Sequence, residues 1–296
     1  MLMAQLDASL RDCEIEIVDV FAAAPLAGNP LAVVTVDTLP DADVRQAVAR
    51  ETNLAETTFL VRTPDADGAW PVRIHTPAEE LPFAGHPVLG TAWVIRERLL
   101  GGAGEGLLLA TRKGRVPVRF EGRGPGARAW LQAPEVTIEM ITDAGPWLHA
   151  LDLAPEALAP GIVPCALVDI GPRFGVLAVE SRELLALLAP LGGELQRLLA
   201  AWGATGVLVV APAAEHEGDL AVRMFFDAAG VREDPATGSA NAGLAALLRS
   251  MGRRGRVEVT QGVEMLRPSR LLLEIDVQRI EVGGGVWPVY AGRFGI

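Results

Sequence analysis

Three short stretches carry residue types that could move a proton on a small anion. Glu56 opens a β-rich, apolar run in the context NLAETTF (53–59). A carboxyl group at the mouth of such a strand is partly withdrawn from water and suited to proton transfer. The loop ELPFAGHPVLG (80–90) is stiffened by Pro82 and Pro87, and Gly85 permits a tight turn. Pro87 suits a first helical turn, where its missing N–H is not needed. The open amides at that helix start would hold an anion and set His86 beside it. The loop EDPATGSANAG (233–243) repeats the theme with Gly238, and it offers Asp234 and Ser239 as capping side chains. Each stretch alone also reads as a strand edge or a capped helix start.

Other chemistries are disfavoured. GSA at 238–240 is not a G-x-S-x-G elbow, and no lysine lies near it. Neither a phosphate-binding G-x-x-x-x-G-K-[ST] loop nor a dinucleotide G-x-G-x-x-G occurs there. Cys13 and Cys165 are the two cysteines and form no CxxC pair. The histidines, His75, His86, His149 and His216, show no i, i+4 spacing that would signal zinc on a helix. His75 reads as a packed strand histidine, and His149 and His216 as exposed. The six tryptophans are scattered and make no base-stacking platform.

The elements that must position these residues follow from pattern. Strands are expected at 14–20, 31–36, 56–61, 70–75, 167–180, 206–211, 220–226, 257–263, 271–277 and 286–294, with hairpins across 107–131. Helices are expected at 41–51, 146–153 and 194–202. Two more should follow the glycine turns, at 85–100 and 238–253. Many strands with few central helices indicate an α+β architecture rather than alternating βαβ units. Val72-Arg73-Ile74 precedes the Gly85 turn, and Val222-Arg223-Met224 precedes the Gly238 turn. A second glycine sits five residues on in each helix, at Gly90 and Gly243. The match is short, so two related lobes and coincidence both stay open on this ground alone.

With 296 residues the chain suggests about two domains. Its formal charge is −11, from 26 basic and 37 acidic residues, and Lys113 is the one lysine. That charge disfavours nucleic acid and anionic membrane surfaces. The arginines at 249–256 read as a solvated helix end. No uncharged stretch reaches the ~20 apolar residues of a spanning helix. Residues 1–14 carry charges and no apolar core, so they are not expected to be a secretory signal. A cytoplasmic location is the expectation.

In combination and in order, these pieces resemble the phenazine-biosynthesis PhzF-like isomerase family, within the diaminopimelate-epimerase fold. The resemblance rests on DVFAAAPLAGNPLAVV (19–34), NLAETTF (53–59), TPAEELPFAGHPVLGTA (76–92), DIGPRFGVLAV (169–179), EDPATGSANAGLAALL (233–248) and QGVEMLRPSRLLLEI (261–275). It implies two similar lobes, each a mixed β-sheet wrapped round a central helix, with a cleft between them for the substrate. Residues 1–130 would form the first lobe, completed by a C-terminal strand at 284–296, and residues 131–283 the second.

The resemblance implies Glu56 as the proton-shuttling acid/base, with His86 and Asp234 as its catalytic partners. Gly85, Gly238 and Ser239 would contact a small carboxylate substrate. No cofactor and no metal are implied, and a homodimer is. Racemases of this fold carry a cysteine at each helix start. Here Ala84 and Thr237 occupy those positions, so two-cysteine chemistry is not expected. The function implied is cofactor-independent isomerisation or epimerisation by proton transfer. The alternative is a non-enzymatic carboxylate-binding protein that keeps the cleft.

Overall fold

The computed structural model describes residues 10–11, 13–213, 219–228 and 231–294. The sequence readings for residues 1–9 and for His216 lie outside that range. The fold is mixed, rich in strands and poor in helices. It divides into two compact units, Met1–Leu131 with Gly283–Ile296, and Gln132–Val282.

In the first unit the strands are β1 (Glu14–Val20), β2 (Asn29–Val36), β3 (Glu56–Val61), β4 (Ala69–His75), the two-residue β5 (Glu80–Leu81), β6 (Gly106–Thr111), β7 (Gly114–Glu121) and β8 (Arg128–Gln132). Its helices are α1 (Ala42–Thr52) and α2 (Gly85–Val94). β1 pairs antiparallel with β2, β2 parallel with β3, and β3 antiparallel with β4. β4 pairs parallel with β6, and β6, β7 and β8 continue antiparallel. The C-terminal strand, Ile280–Arg293, pairs with β8 and antiparallel with β1, so the sheet closes on itself as a barrel.

Helix α2 packs against β1, β2, β3, β6 and β7. Its sequence, GHPVLGTAWV, has no charged residue, and every side chain from His86 to Val94 is buried. A helix apolar on all sides belongs in a core. β2 is likewise a nearly unbroken apolar run, as expected of a strand covered on both faces. Its outer face joins Val44 and Val48 of α1 in a second cluster with Phe59 and Cys13.

The second unit contains β9 (Thr137–Met140), β10 (Ala166–Asp169), β11 (Arg173–Ala178), β12 (Gly206–Pro212), β13 (Leu220–Ala228), β14 (Val231–Asp234), β15 (Gly255–Gln261) and β16 (Ser269–Ile275). Its helices are α3 (Gly145–Ala150), α4 (Arg182–Leu187), α5 (Gly192–Trp202) and α6 (Gly238–Ser250). Neighbours run β9–β10–β11–β12–β13–β15–β16, parallel at β11–β12 and β13–β15 and antiparallel elsewhere. Helix α6 is buried from Ala240 to Leu248 and touches β10, β11 and β16. β10 and β16 lie toward opposite ends of that order, so the sheet curls round the helix. α3 and α5 pack together outside it, on a cluster containing Trp147, Leu195, Leu198 and Leu199.

Several elements differ from the sequence reading. The expected helix at 85–100 is α-helical to Val94 and then widens into a π turn, Ile95–Leu99. The strand expected at 167–180 is interrupted at Gly171, whose φ of 113° turns β10 back into β11. α6 stops at Ser250, short of Arg253, and the arginines beyond it are exposed. The short helix α4 has no counterpart in the sequence reading.

The glycines five residues into α2 and α6 have a common physical reason. A Cβ on Gly90 would lie 2.6 Å from Leu31 Cδ2 and 2.8 Å from Val20 Cγ2. A Cβ on Gly243 would lie 2.4 Å from Val168 Cγ2. Each helix therefore approaches its sheet closely at that point. Val168 is β-branched on a buried strand and cannot swing aside. Gly243→Ala is expected to destabilise the protein by about 1–3 kcal/mol through overpacking, measured by urea denaturation. Unchanged stability would mean that the helix and sheet are not in firm contact there.

Candidate active site

Glu56 is the first residue of β3 and is delivered there by a short turn. Helix α1 ends at Asn53, which takes a left-handed conformation (φ 51°) and donates its N–H to Ala49 O. Asparagine tolerates that conformation. The hydroxyls of Thr52 and Thr57 lie 2.7 Å apart and tie the helix end to the strand start. One strand residue further on, the buried hydroxyls of Thr58 and Thr91 lie 2.8 Å apart, joining β3 to α2.

That register brings Glu56 to His86. Glu56 Oε2 and His86 Nε2 are 3.2 Å apart, with side-chain exposures of 16% and 7%. Gly85 and His86 open α2, and the preceding Ala84 is an extended N-cap whose methyl satisfies none of the first amides. Burial pushes the His86 imidazole down to about 3, so it is neutral at physiological pH. His86 is thus a buried neighbour of the carboxyl group.

His75 is a second neutral histidine, in a different setting. Arg45 Nε donates to its Nε2 (3.1 Å), and its Nδ1 lies 3.0 Å from Gln46 Oε1. The guanidinium can only donate, so Nε2 accepts and Nδ1 carries the proton. Burial lowers His75 to about 4, opposed by Glu80 and aided by Arg45. Arg45, Arg73 and Arg112 all lie within 4 Å of the Glu80 carboxylate, at the start of the loop that leads to Gly85.

Both histidines predict a pH dependence of stability. Their folded values lie below the ~6.5 of an unfolded chain. Between those values the unfolded state binds protons that the folded state refuses, so stability falls as pH drops below about 6.5. His86 contributes at most about 1.4 kcal/mol per pH unit, and His75 acts in the same direction. His75→Gln keeps an acceptor for Arg45 and a donor for Gln46. Its denaturation midpoint should fall less steeply between pH 7 and pH 5 than that of the parent. Equal slopes would show that His75 is not held neutral.

In the second unit, Asp234 closes β14, and Thr237 is the N-cap of α6. The expected capping roles of Asp234 and Ser239 are not observed. Thr237 occupies the cap without a side-chain cap bond, and Ser239 lies inside the first turn, half-buried, after Gly238. The Thr237 hydroxyl instead donates to Asp234 Oδ2. Glu233 is gripped by Arg223, with Nε to Oε1 at 2.9 Å and Nη2 to Oε2 at 2.8 Å.

Each half of the candidate set is therefore assembled within its own unit: Glu56, Gly85 and His86 in the first, Asp234, Gly238 and Ser239 in the second. Neither cysteine joins them. Cys13 and Cys165 are buried in separate cores and not joined in a disulfide, and burial pushes Cys165 up to about 11. The sequence reading missed Thr58, Thr91, Asn241 and Gln261, all buried polar residues. A lone polar residue in an apolar helix, such as Thr91 or Asn241, is the signal that could have found them.

A strand-wrapped helix start with a buried carboxyl–imidazole contact is a polar feature of the first unit. Residues 18–292 match the family model described as phenazine biosynthesis-like protein. The chain is 36% identical over 286 residues to trans-2,3-dihydro-3-hydroxyanthranilate isomerase of Pseudomonas aeruginosa, covering 94% of this chain and 97% of the relative. The solved structure of a predicted epimerase from the same species superposes with a TM-score of 0.82 at 31% identity, over 96% of this chain and 99% of that one. A hydroxyproline epimerase of Agrobacterium vitis shares the fold, with a TM-score of 0.61 at 12% identity over 95% and 92% of the two chains. The chain belongs to the phenazine biosynthesis-like family and is an isomerase.

Proposed function

We propose that the protein is a cofactor-independent isomerase that moves a proton on a small cyclic carboxylate. Each unit carries one glycine-led helix start, at Gly85 in the first and at Gly238 in the second. Glu56 takes the proton from a carbon made acidic by a conjugated carboxylate, and it or a neighbour returns the proton to another carbon. One C–H bond breaks and one forms, with no change of oxidation state.

The observation that carries this reading is the 3.2 Å contact between Glu56 Oε2 and His86 Nε2. A neutral imidazole beside the carboxyl group adds no charge to a buried place and leaves the carboxyl group as the residue that takes the proton. The open amides at Gly85 and Gly238 would hold the carboxylate and steady negative charge as it develops. Asp234 and Ser239 complete the polar lining in this reading.

The name of the Pseudomonas relative supplies the first compound to test, trans-2,3-dihydro-3-hydroxyanthranilate. Incubation with it in deuterated water should give an isomerised product carrying solvent deuterium at the new C–H position. Isomerisation without deuterium would assign a shielded, intramolecular transfer. Binding with neither isomerisation nor exchange would overturn the reading for this substrate class.

A further inference from the structure

We propose that Gln261 is a positioning residue whose side-chain amide orients the Thr237 hydroxyl and thereby holds Oδ2 of Asp234 as a hydrogen-bond acceptor. A chain of donors and acceptors runs from Gln261 through Thr237 to Asp234. Gln261 is buried, at 1% exposure, at the end of β15. Its Oε1 lies 3.2 Å from the Thr237 backbone nitrogen and 3.0 Å from Asn241 Nδ2. A backbone N–H can only donate, so that atom of the amide is the oxygen. The other atom, Nε2, is then a donor, and it reaches Asp234 O at 2.8 Å and Thr237 Oγ1 at 3.1 Å.

Thr237 Oγ1 accepts from Gln261, so its own proton is directed elsewhere. The partner that takes it is Asp234 Oδ2. With the hydroxyl proton given to Oδ2, that oxygen serves as the acceptor and the ionised carboxylate gains a hydrogen bond. A hydroxyl donating to a carboxylate favours the ionised form. The amide of Asn241 adds a second hold by donating to Thr237 O at 3.0 Å.

The backbone supports the same placement. Gly262 follows Gln261 at φ 75°, and a Cβ there would lie 2.5 Å from Arg267 O and 2.6 Å from Pro235 O. The end of β15 is thus pressed against the turn at 234–237. The Thr237 side chain thus serves the neighbouring carboxyl group.

Charged groups on the adjoining residues include Glu233, its partner Arg223, and Glu264, 3.9 Å from Arg223 Nε. They are common to every variant below, so they do not enter a comparison. The functional weight of the inference rests on the proposed role of Asp234, but its geometry does not. The test therefore has one arm that needs no substrate.

The full-length protein, labelled with carbon-13 at aspartate carboxyls, is titrated by NMR, with Asp234→Asn identifying the Asp234 signal. Thr237→Val and Gln261→Met should each raise the Asp234 midpoint, Thr237→Val by about one pH unit. Thr237→Ser should leave it in place. Thr237→Val leaves the Gln261 amide intact and serves if Gln261→Met does not fold. Midpoints unchanged in Thr237→Val and in a folded Gln261 variant overturn the assignment.

The second arm compares turnover of trans-2,3-dihydro-3-hydroxyanthranilate. Asp234→Asn and Thr237→Val should both lower kcat at least tenfold, with KM within about threefold, and Thr237→Ser should recover it. A shifted midpoint with undiminished turnover in Asp234→Asn upholds the relay and removes Asp234 from the reaction. A fixed midpoint with impaired Asp234→Asn does the reverse.

Discussion

Glu56→Gln is expected to lower kcat by about 10²- to 10⁴-fold, the range for removing a positioned acid or base, while KM changes little. Glutamine preserves the length and shape of the side chain. It can still meet His86 Nε2, and the strand around it is unchanged. What it cannot do is take a proton and give it back. The loss should therefore appear in the chemical step, together with loss of solvent deuterium from the product. His86→Gln should also slow turnover, because the carboxyl group loses the rigid neutral ring that packs 3.2 Å from it. If the two act as one unit, Glu56→Gln with His86→Gln should be little slower than Glu56→Gln alone. Parental kcat in Glu56→Gln would remove the residue from the mechanism. Additive losses would mean that His86 acts on substrate independently of Glu56.

The residues of this pair are far apart in sequence, which limits what could be read in advance. Glu56 at a strand start and His86 after a helix-opening glycine were each legible, because local pattern sets both. Strands β1 and β3 fall where apolar and β-branched residues placed them, and both glycine-led helices start where expected. The 3.2 Å contact was not legible, because it depends on the register between β3 and α2. A buried hydroxyl pair, Thr58 with Thr91, helps to fix that register. In isolation each threonine looks like an ordinary strand or helix residue. The barrel closure in the first unit had a sequence hint only in the returning C-terminal strand. Its cause is long-range pairing of β1 with residues near the other end of the chain. Helix α4 escaped because a single six-residue turn shows no stable period. Its C-terminal carbonyls are met by Arg223, which lies 35 or more residues on.

That arginine is where the largest loss of stability is expected. Arg223 holds Glu233 with two donors, and its Nη1 lies 3.1, 3.2 and 2.9 Å from the carbonyls of Leu185, Ala186 and Leu188. The side chain is 9% exposed and that of Glu233 is 16% exposed. Arg223→Met fills similar space but leaves a largely buried carboxylate and three helix-end carbonyls without their donor. Breaking a buried pair from one side costs about 3–5 kcal/mol, because the abandoned charge keeps its desolvation penalty. Arg223→Met should therefore shift the urea midpoint far more than a surface arginine variant such as Arg253→Met. Lysine at position 223 should recover only part of the loss, since one ammonium cannot reproduce the fork to Glu233 and still reach all three carbonyls. Arg223→Met with Glu233→Gln should be more stable than Arg223→Met alone, because the stranded charge is gone. The same change bears on function, since Glu233 is joined directly to Asp234. Loosening it should disturb the turn at 234–237 and lower kcat even at temperatures where the protein remains folded. An unfolding free energy within ~0.5 kcal/mol of the parent would show that solvent, not Arg223, satisfies Glu233 and the end of α4.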